Sequence, residues 1–134
     1  MKKQWKLIVM LSIFAASLVL SAFPLTQAVQ AKGTVTKISL IGNTQYPAAK
    51  GTAKYKVDAS EREFQVEVEN VKSLAGKTLN VMVNGKKVGS FVVNSLGVGR
   101  LNLNSTRGNN VPLIQPGSTV RIRFGTSLVV SGKF

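Results

Sequence analysis

Two stretches, Thr52-Ala-Lys-Tyr-Lys-Val57 and Glu63-Phe-Gln-Val-Glu-Val-Glu69, decide the fold of this chain. In both, apolar and polar side chains alternate with a period of two residues, which is typical of β-strands with one buried face. An antiparallel pairing that sets Tyr55 opposite Phe64 also sets a lysine opposite a glutamate on the other face. The two stretches are therefore predicted to form an antiparallel pair with an apolar inner face and a charged outer face.

The same alternation recurs along the chain on both sides of this pair, and no segment after residue 31 shows helical periodicity. Turn residues separate the alternating runs at intervals of roughly 8 to 12 residues, which favours a β-sandwich or a small barrel. We therefore predict an all-β fold, a single antiparallel sandwich or small barrel of about eight short strands.

Several local features refine this prediction. Asn84-Gly85 is a strong hairpin signal, with a loop of either two or four residues. Phe91-Val92-Val93 predicts a bulge or a strand buried on both faces. A polar loop is expected from Ser105 to Asn110, and Phe134 is expected to close the core.

The N-terminal segment has the pattern of an export signal. Lysines precede an apolar run over residues 7–20, and Val29 and Ala31 stand where a signal peptidase reads the chain. We predict a signal peptide over residues 1–31, a single β-sandwich domain over residues 32–134, and a secreted or periplasmic (extracytoplasmic) location. The alternative is an uncleaved membrane anchor, but Pro24 closes the run short of the ~20 apolar residues that a span needs.

The composition excludes several classes of chemistry. The chain has no cysteine and no histidine. It therefore lacks disulfides, the usual ligands of zinc, haem and iron–sulfur clusters, and the histidine of common acid–base mechanisms. We expect no cofactor and no metal site.

Charge is the strongest compositional signal of a partner. The chain has 18 Lys and Arg against 5 Asp and Glu, and 15 of the basic residues but all of the acids follow residue 31, a net charge of +10 for that part. A strongly basic exported domain favours anionic partners, although a basic balance also serves solubility alone. The candidate binding residues are Lys86, Lys87, Arg100, Arg107, Arg121 and Arg123.

A resemblance to a known family covers about the first third of the exported part. Residues 38–57, Ile-Ser-Leu-Ile-Gly-Asn-Thr-Gln-Tyr-Pro-Ala-Ala-Lys-Gly-Thr-Ala-Lys-Tyr-Lys-Val, resemble the opening of chordin-type (CHRD) domains. The remainder contains Val81-Met-Val-Asn-Gly85, Leu101-Asn-Leu-Asn-Ser-Thr106, Val111-Pro112 and Ser131-Gly-Lys-Phe134. In these stretches it is similar to small exported bacterial β-sandwich proteins of unknown function. The resemblance implies an exported β fold and carries no catalytic residues to this chain.

The carboxylates suggest an alternative. Glu67 and Glu69 lie two residues apart on one strand face, roughly 7 Å at the usual strand rise, a spacing that paired-carboxylate glycosidases can use. Their neighbours Lys54 and Lys56 favour an ordinary charged surface instead.

These observations predict a non-enzymatic binding or structural module. The expected partner is an anionic polysaccharide or cell-envelope polymer that contacts the basic residues, and a protein partner is also compatible with the sequence. Nucleic acid is disfavoured because the aromatic residues are needed in the core, and membrane contact is expected only if the N-terminal segment stays attached. The alternatives are an extracytoplasmic hydrolase that uses Glu67 and Glu69, and a subunit that self-associates through its sheet edges.

Overall fold

A computed structural model describes residues 33–134, so the predicted export signal lies outside the described residues. The described chain is all-β, with two short 3-10 turns at Lys72–Leu74 and Ser105–Arg107. Within residues 33–134 we find no helix with the length and apolar character needed to span a bilayer. The strands are β1 (Thr34–Gly42), β2 (Lys50–Val57), β3 (Arg62–Glu69), β4 (Thr78–Val83), β5 (Lys86–Val92), β6 (Gly99–Asn104), β7 (Thr119–Phe124) and β8 (Ser127–Lys133).

The strands form one antiparallel, eight-stranded sheet in the order β5-β4-β7-β8-β1-β2-β3-β6. Only two residue pairs join β1 to β8, so the sheet consists of two four-stranded halves connected at a corner. Its two edge strands, β5 and β6, meet through side chains: Gly89 lies against Leu101, and Gly99 lies against the ring of Phe91. The result is a nearly closed, barrel-like sheet around a single core, as the sequence predicted.

The register of β2 and β3 follows from their alternation. Tyr55 pairs with Phe64, and Lys56 pairs with Glu63. Phe64 is completely buried and Tyr55 is 7% exposed, while the charged residues of the pair point outward. The pairing predicted from the sequence is confirmed.

The β4–β5 hairpin has a two-residue loop, because Val83 pairs directly with Lys86. Asn84 and Gly85 have φ angles of 51° and 82°. Both positive values are those of a type I′ turn, the turn that Asn-Gly sequences favour.

The irregularity in β5 lies earlier than the sequence suggested. Gly89 pairs with Val81 and Lys87 pairs with Met82, so Val88 is an extra residue in β5. Around Phe91 the alternation is regular, since Phe91 is 7% exposed and Val92 is 59% exposed. The bulge at Val88 keeps the remainder of β5 in phase with β4.

One cluster of buried apolar residues fills the space between the two halves. Phe134 packs against this cluster but is only partly buried, and its backbone N–H donates to the carbonyl oxygen of Ser118 at 2.9 Å. It therefore lies at the margin of the core. The residues under 2% exposed with the largest side chains are Phe64, Leu40, Leu79, Ile122, Val66, Val68, Val71, Val81, Val93, Val120, Val129 and Val130.

The predicted polar loop after β6 begins as a 3-10 turn. The Asn104 side chain accepts a hydrogen bond from the backbone N–H of Thr106 at 2.8 Å, which caps this turn. Its amide nitrogen donates to Glu61 Oε2 at 2.6 Å, and the residue is only 5% exposed. Asn104 thus fixes the start of the loop to the turn between β2 and β3.

Candidate functional site

The acidic residues are confined to one part of the chain. All five lie between residues 58 and 69, in the β2–β3 turn and in β3, whereas nine basic residues and no acidic residue follow position 69. The sheet half formed by β4, β5, β7 and β8 therefore carries no acidic side chain. The basic residues after position 69 are Lys72, Lys77, Lys86, Lys87, Arg100, Arg107, Arg121, Arg123 and Lys133.

Strand pairing brings four of these basic side chains onto one outward surface. Met82 of β4 lies between Lys87 of β5 and Arg121 of β7, so the three form a row across the sheet. Arg123 follows Arg121 on the same side of β7, because the intervening Ile122 is completely buried. Lys133 joins them through its pairing with Thr119, two residues before Arg121. We call Lys87, Arg121, Arg123 and Lys133 the basic face.

The spacing within the basic face follows from sheet geometry. Alternate residues on a strand are roughly 7 Å apart, and next-nearest strands are roughly 10 Å apart. Arg121 and Arg123 are alternate residues of β7, whereas Lys87 and Arg121 lie on next-nearest strands, with β4 between them. These separations are short enough for one flexible anionic chain to contact several of the cations together.

The charges of the basic face are not neutralised by the protein. The two ion pairs found among the described residues both lie in the other half of the sheet, Lys56 with Glu61 and Arg100 with Glu67. Arg123 donates to the backbone carbonyl of Thr126 at 3.1 Å, which orients its guanidinium without reducing its charge. The face therefore presents uncompensated positive potential to solvent.

A shallow, open groove of about 340 Å³ runs along this surface beside the β4–β5 hairpin. A second depression of about 410 Å³ lies on the other side of the same hairpin tip. Lys86 lines this second depression together with Val83, the inward-facing residue with which it pairs in β4. The second depression is also lined by Asn84, Lys87, Val88, Asn110, Pro112 and Leu113.

The other two predicted binding residues lie elsewhere. Arg100 on β6 holds Glu67, with 2.6 Å between Nη2 and Oε2. Arg107 lies in the 3-10 turn after β6, and its Nη1 donates to Asn102 Oδ1 at 3.4 Å. Of the polar loop expected to accompany them, Asn110 lines the depression beside Lys86. The six predicted residues thus fall into three groups. Arg121 and Arg123 lie on the basic face and line its groove, while Lys87 belongs to the same face by strand pairing and also lines the second depression with Lys86. Arg100 and Arg107 lie on the other half of the sheet.

No protein-family model, curated protein or solved structure matches this chain. The resemblance to chordin-type domains therefore stays a prediction from the residues. The candidate site is argued from its geometry and charge alone.

Sequence reasoning did not include Lys133 among the candidate binding residues. β7 and β8 are consecutive strands, and Lys133 alternates with the inward-facing Gly132, so the position was open to prediction from the pattern of the last strand. The confinement of all acids to residues 58–69 was a further signal in the sequence.

The carboxylates form a different kind of surface. Glu67 is flanked by Thr52 on β2 and by Arg100 on β6, and Glu69 pairs with Lys50. The side chain of Glu67 is 42% exposed and engaged in its ion pair with Arg100. Each of the two acids thus has a basic residue directly opposite on a neighbouring strand.

Hydrogen bonds hold the neighbouring carboxylates in their ionised form. The side chains of Asn102 and Gln65 donate to Glu63 at 2.9 and 2.8 Å and lower its pKa. The backbone N–H of Ser60 donates to Asp58 and lowers the pKa of that group. A general acid in glycoside hydrolysis needs a raised pKa, so neither Glu63 nor Asp58 has the shift that this role requires.

Proposed function

We propose that the protein is a non-enzymatic, extracytoplasmic binding module that holds anionic polymers on its basic face. The observation that carries this proposal is the convergence of four basic side chains on a sheet half without a single acidic side chain. Scattered solubilising charges have no reason to line up on three strands with two of the cations lining a groove. Polymeric anions of the envelope, such as acidic polysaccharides, match an open surface better than a small ligand does.

The shape of the surface supports a chain-like ligand. The groove beside Arg121 and the depression beside Lys86 lie on the two sides of the Asn84-Gly85 tip. Gly85 has no side chain to obstruct a polymer that crosses from one to the other. Such a ligand would follow the basic face and then pass over the tip toward Lys86.

The two alternatives find less support. For a hydrolase, Glu67 and Glu69 are each set opposite a basic residue, which suits an ordinary surface ion pair. For self-association through sheet edges, β5 carries Lys86, Lys87 and the bulge at Val88, features that disfavour edge-to-edge pairing. Hydrolytic activity of the wild type that disappears in Glu67→Gln would favour the hydrolase. A stable oligomer in solution would favour self-association.

The proposal is tested by retention of the purified protein on immobilised polyanions at low salt and at ~150 mM salt. The test variant reverses the basic face, with Lys87→Glu, Arg121→Glu, Arg123→Glu and Lys133→Glu. The control variant carries the same charge change at four exposed lysines outside the face: Lys37→Glu, Lys50→Glu, Lys72→Glu and Lys77→Glu.

We expect the wild type and the control variant to stay bound at the higher salt and the test variant to elute. Equal elution of the two variants would mean that only net charge matters. The basic face would then not be a binding site, and the proposal would be wrong.

A further inference from the structure

Three of the four cations on the basic face lie directly opposite an uncharged side chain that can form hydrogen bonds. The pairs are Arg121 with Ser131, Arg123 with Asn80, and Lys133 with Thr119. Side chains directly opposite one another in an antiparallel sheet point to the same side, with Cβ atoms about 5 Å apart. Each of these three cations therefore has a hydroxyl or amide group beside it on the outer surface.

The uncharged partners are accessible to a ligand. Asn80, Thr119 and Ser131 are each half-buried, and their side chains make no hydrogen bond within residues 33–134. Thr119 donates only through its backbone N–H, to Asn84 Oδ1 at 3.0 Å, which leaves its hydroxyl group free. Thr119 also lines the groove of the basic face. The face thus offers hydrogen bonds as well as positive charge.

We propose that the basic face selects acidic polysaccharides over anionic polymers that carry no hydroxyl groups. This inference rests on the proposed function and names the ligand class of the same surface. One sugar unit with an anionic group and a hydroxyl group can contact a cation and its uncharged partner together. The cation binds the anionic group, and the partner forms a hydrogen bond with the hydroxyl.

The selectivity has a physical basis in the uncharged partners. A polymer without hydroxyl groups displaces water from Thr119 and Asn80 while its anionic groups are engaged by the cations. Polar groups that lose water and gain no partner weaken binding, so a site built to hydrogen-bond a hydroxyl group discriminates against an analogue that lacks it. Charge alone gives no such preference, because it attracts every polyanion.

The test uses polygalacturonate, whose units carry a carboxylate and hydroxyl groups, and polyacrylate, which carries carboxylates alone. Each polymer is titrated into the full-length protein and followed by isothermal titration calorimetry. The test variant combines Asn80→Ala with Thr119→Val and leaves every charge in place. Each polymer is compared only with itself across variants, because the two polymers differ in the spacing of their charges.

We expect the affinity of the test variant for polygalacturonate to fall by roughly ten-fold, the effect of one to two net hydrogen bonds. Its affinity for polyacrylate should stay within about two-fold of the wild type, which also shows that the variant is folded. The control, Thr52→Val, makes the same kind of change at an outward position of β2, in the other half of the sheet. Both affinities should be unchanged in this control.

The inference is wrong if the test variant keeps its affinity for polygalacturonate, or if it loses affinity for both polymers equally. The proposed function fails by a different result. In that case polygalacturonate binds the variant with four glutamates on the basic face as tightly as the wild type, or binds neither, and the inference fails with it.

Discussion

At the scale of single residues, the Tyr55 hydroxyl has a measurable effect on stability. Because the hydroxyl is buried without a partner among the described residues, it opposes folding. An unsatisfied buried polar group costs about 1–3 kcal/mol. We expect Tyr55→Phe to raise the free energy of unfolding by about 1 kcal/mol, measured by urea denaturation.

The natural control is Tyr46→Phe, since Tyr46 is partly buried against the same core. We expect this variant to match the wild type or to be slightly less stable. A loss of stability in Tyr55→Phe would contradict the prediction and would mean that the hydroxyl is satisfied in solution.

The ionisation of Glu63 should make the free energy of unfolding depend on pH. Its pKa is lowered from the ordinary value of 4.5 by hydrogen bonds from Asn102 and Gln65. A lowered folded-state pKa stabilises the protein above the unfolded value, and this contribution is lost as the pH falls through the folded value. We therefore expect the wild type to lose stability below pH 4.5 more steeply than Glu63→Gln does, in urea titrations at successive pH values.

The matched control for this measurement is Glu69→Gln. Glu69 is exposed at the end of β3, so its replacement also removes one carboxylate but leaves the hydrogen bonds from Asn102 and Gln65 to Glu63 in place. If the free energy of unfolding falls with equal slope in Glu63→Gln and in the wild type below pH 4.5, the hydrogen bonds from Asn102 and Gln65 do not favour the ionised form of Glu63.

The side of the sheet on which each side chain lies was predictable from the sequence, but the hydrogen-bond partner of each side chain was not. The alternation of β2 and β3 was enough to predict that Tyr55 pairs with Phe64. It said nothing of the hydroxyl of Tyr55, or of the bond from Asn104 to Glu61, which joins residues 43 positions apart. A period of two defines the side of the sheet, whereas a hydrogen bond depends on which loop crosses that side.

At the scale of elements, the seam between β5 and β6 is the place where the barrel is closed by packing and not by a hydrogen-bonded ladder. A Cβ atom added at Gly99 would collide with the ring of Phe91. We expect Gly99→Ala to destabilise the protein by about 1–3 kcal/mol in chemical denaturation, because overpacking forces the ring to move.

A double-mutant cycle separates this contact from any backbone effect. Phe91→Leu shrinks the opposing side chain, so the double variant should be more stable than the sum of the single effects predicts, by about 0.5 kcal/mol or more. Simple additivity would mean that the seam does not depend on this contact.

Local turn chemistry was more predictable than strand irregularity. Asn84-Gly85 indicated a hairpin, because both residues tolerate the positive φ angles of a type I′ turn. The bulge was predicted too late in β5, at three consecutive apolar residues that in fact alternate regularly. Its true position at Val88 follows from the register against β4, and register is a property of two strands together.

At the scale of the whole molecule, the basic face exists because of strand order. The outward position of Arg121 and Arg123 was predictable from β7 alone. Their approach to Lys87 was not, because β4 and β7 are neighbours in the sheet but are separated in sequence by β5 and β6. The same order places Arg100 in the other half, beside Glu67.

If the basic face binds a polyanion as a unit, its contribution appears in the salt dependence of the affinity. Each cation that contacts the polymer releases about one counter-ion, so the slope of log K against log salt concentration falls by roughly one when one such cation is removed. Lys133→Ala should therefore weaken binding to inorganic polyphosphate and make the slope shallower by about one. Lys72→Ala removes the same charge from an exposed site outside the face and should leave the slope nearly unchanged. If the two variants have equal slopes, the polymer responds to the net charge of the molecule, and the alignment of the cations on β5, β7 and β8 has no role in binding.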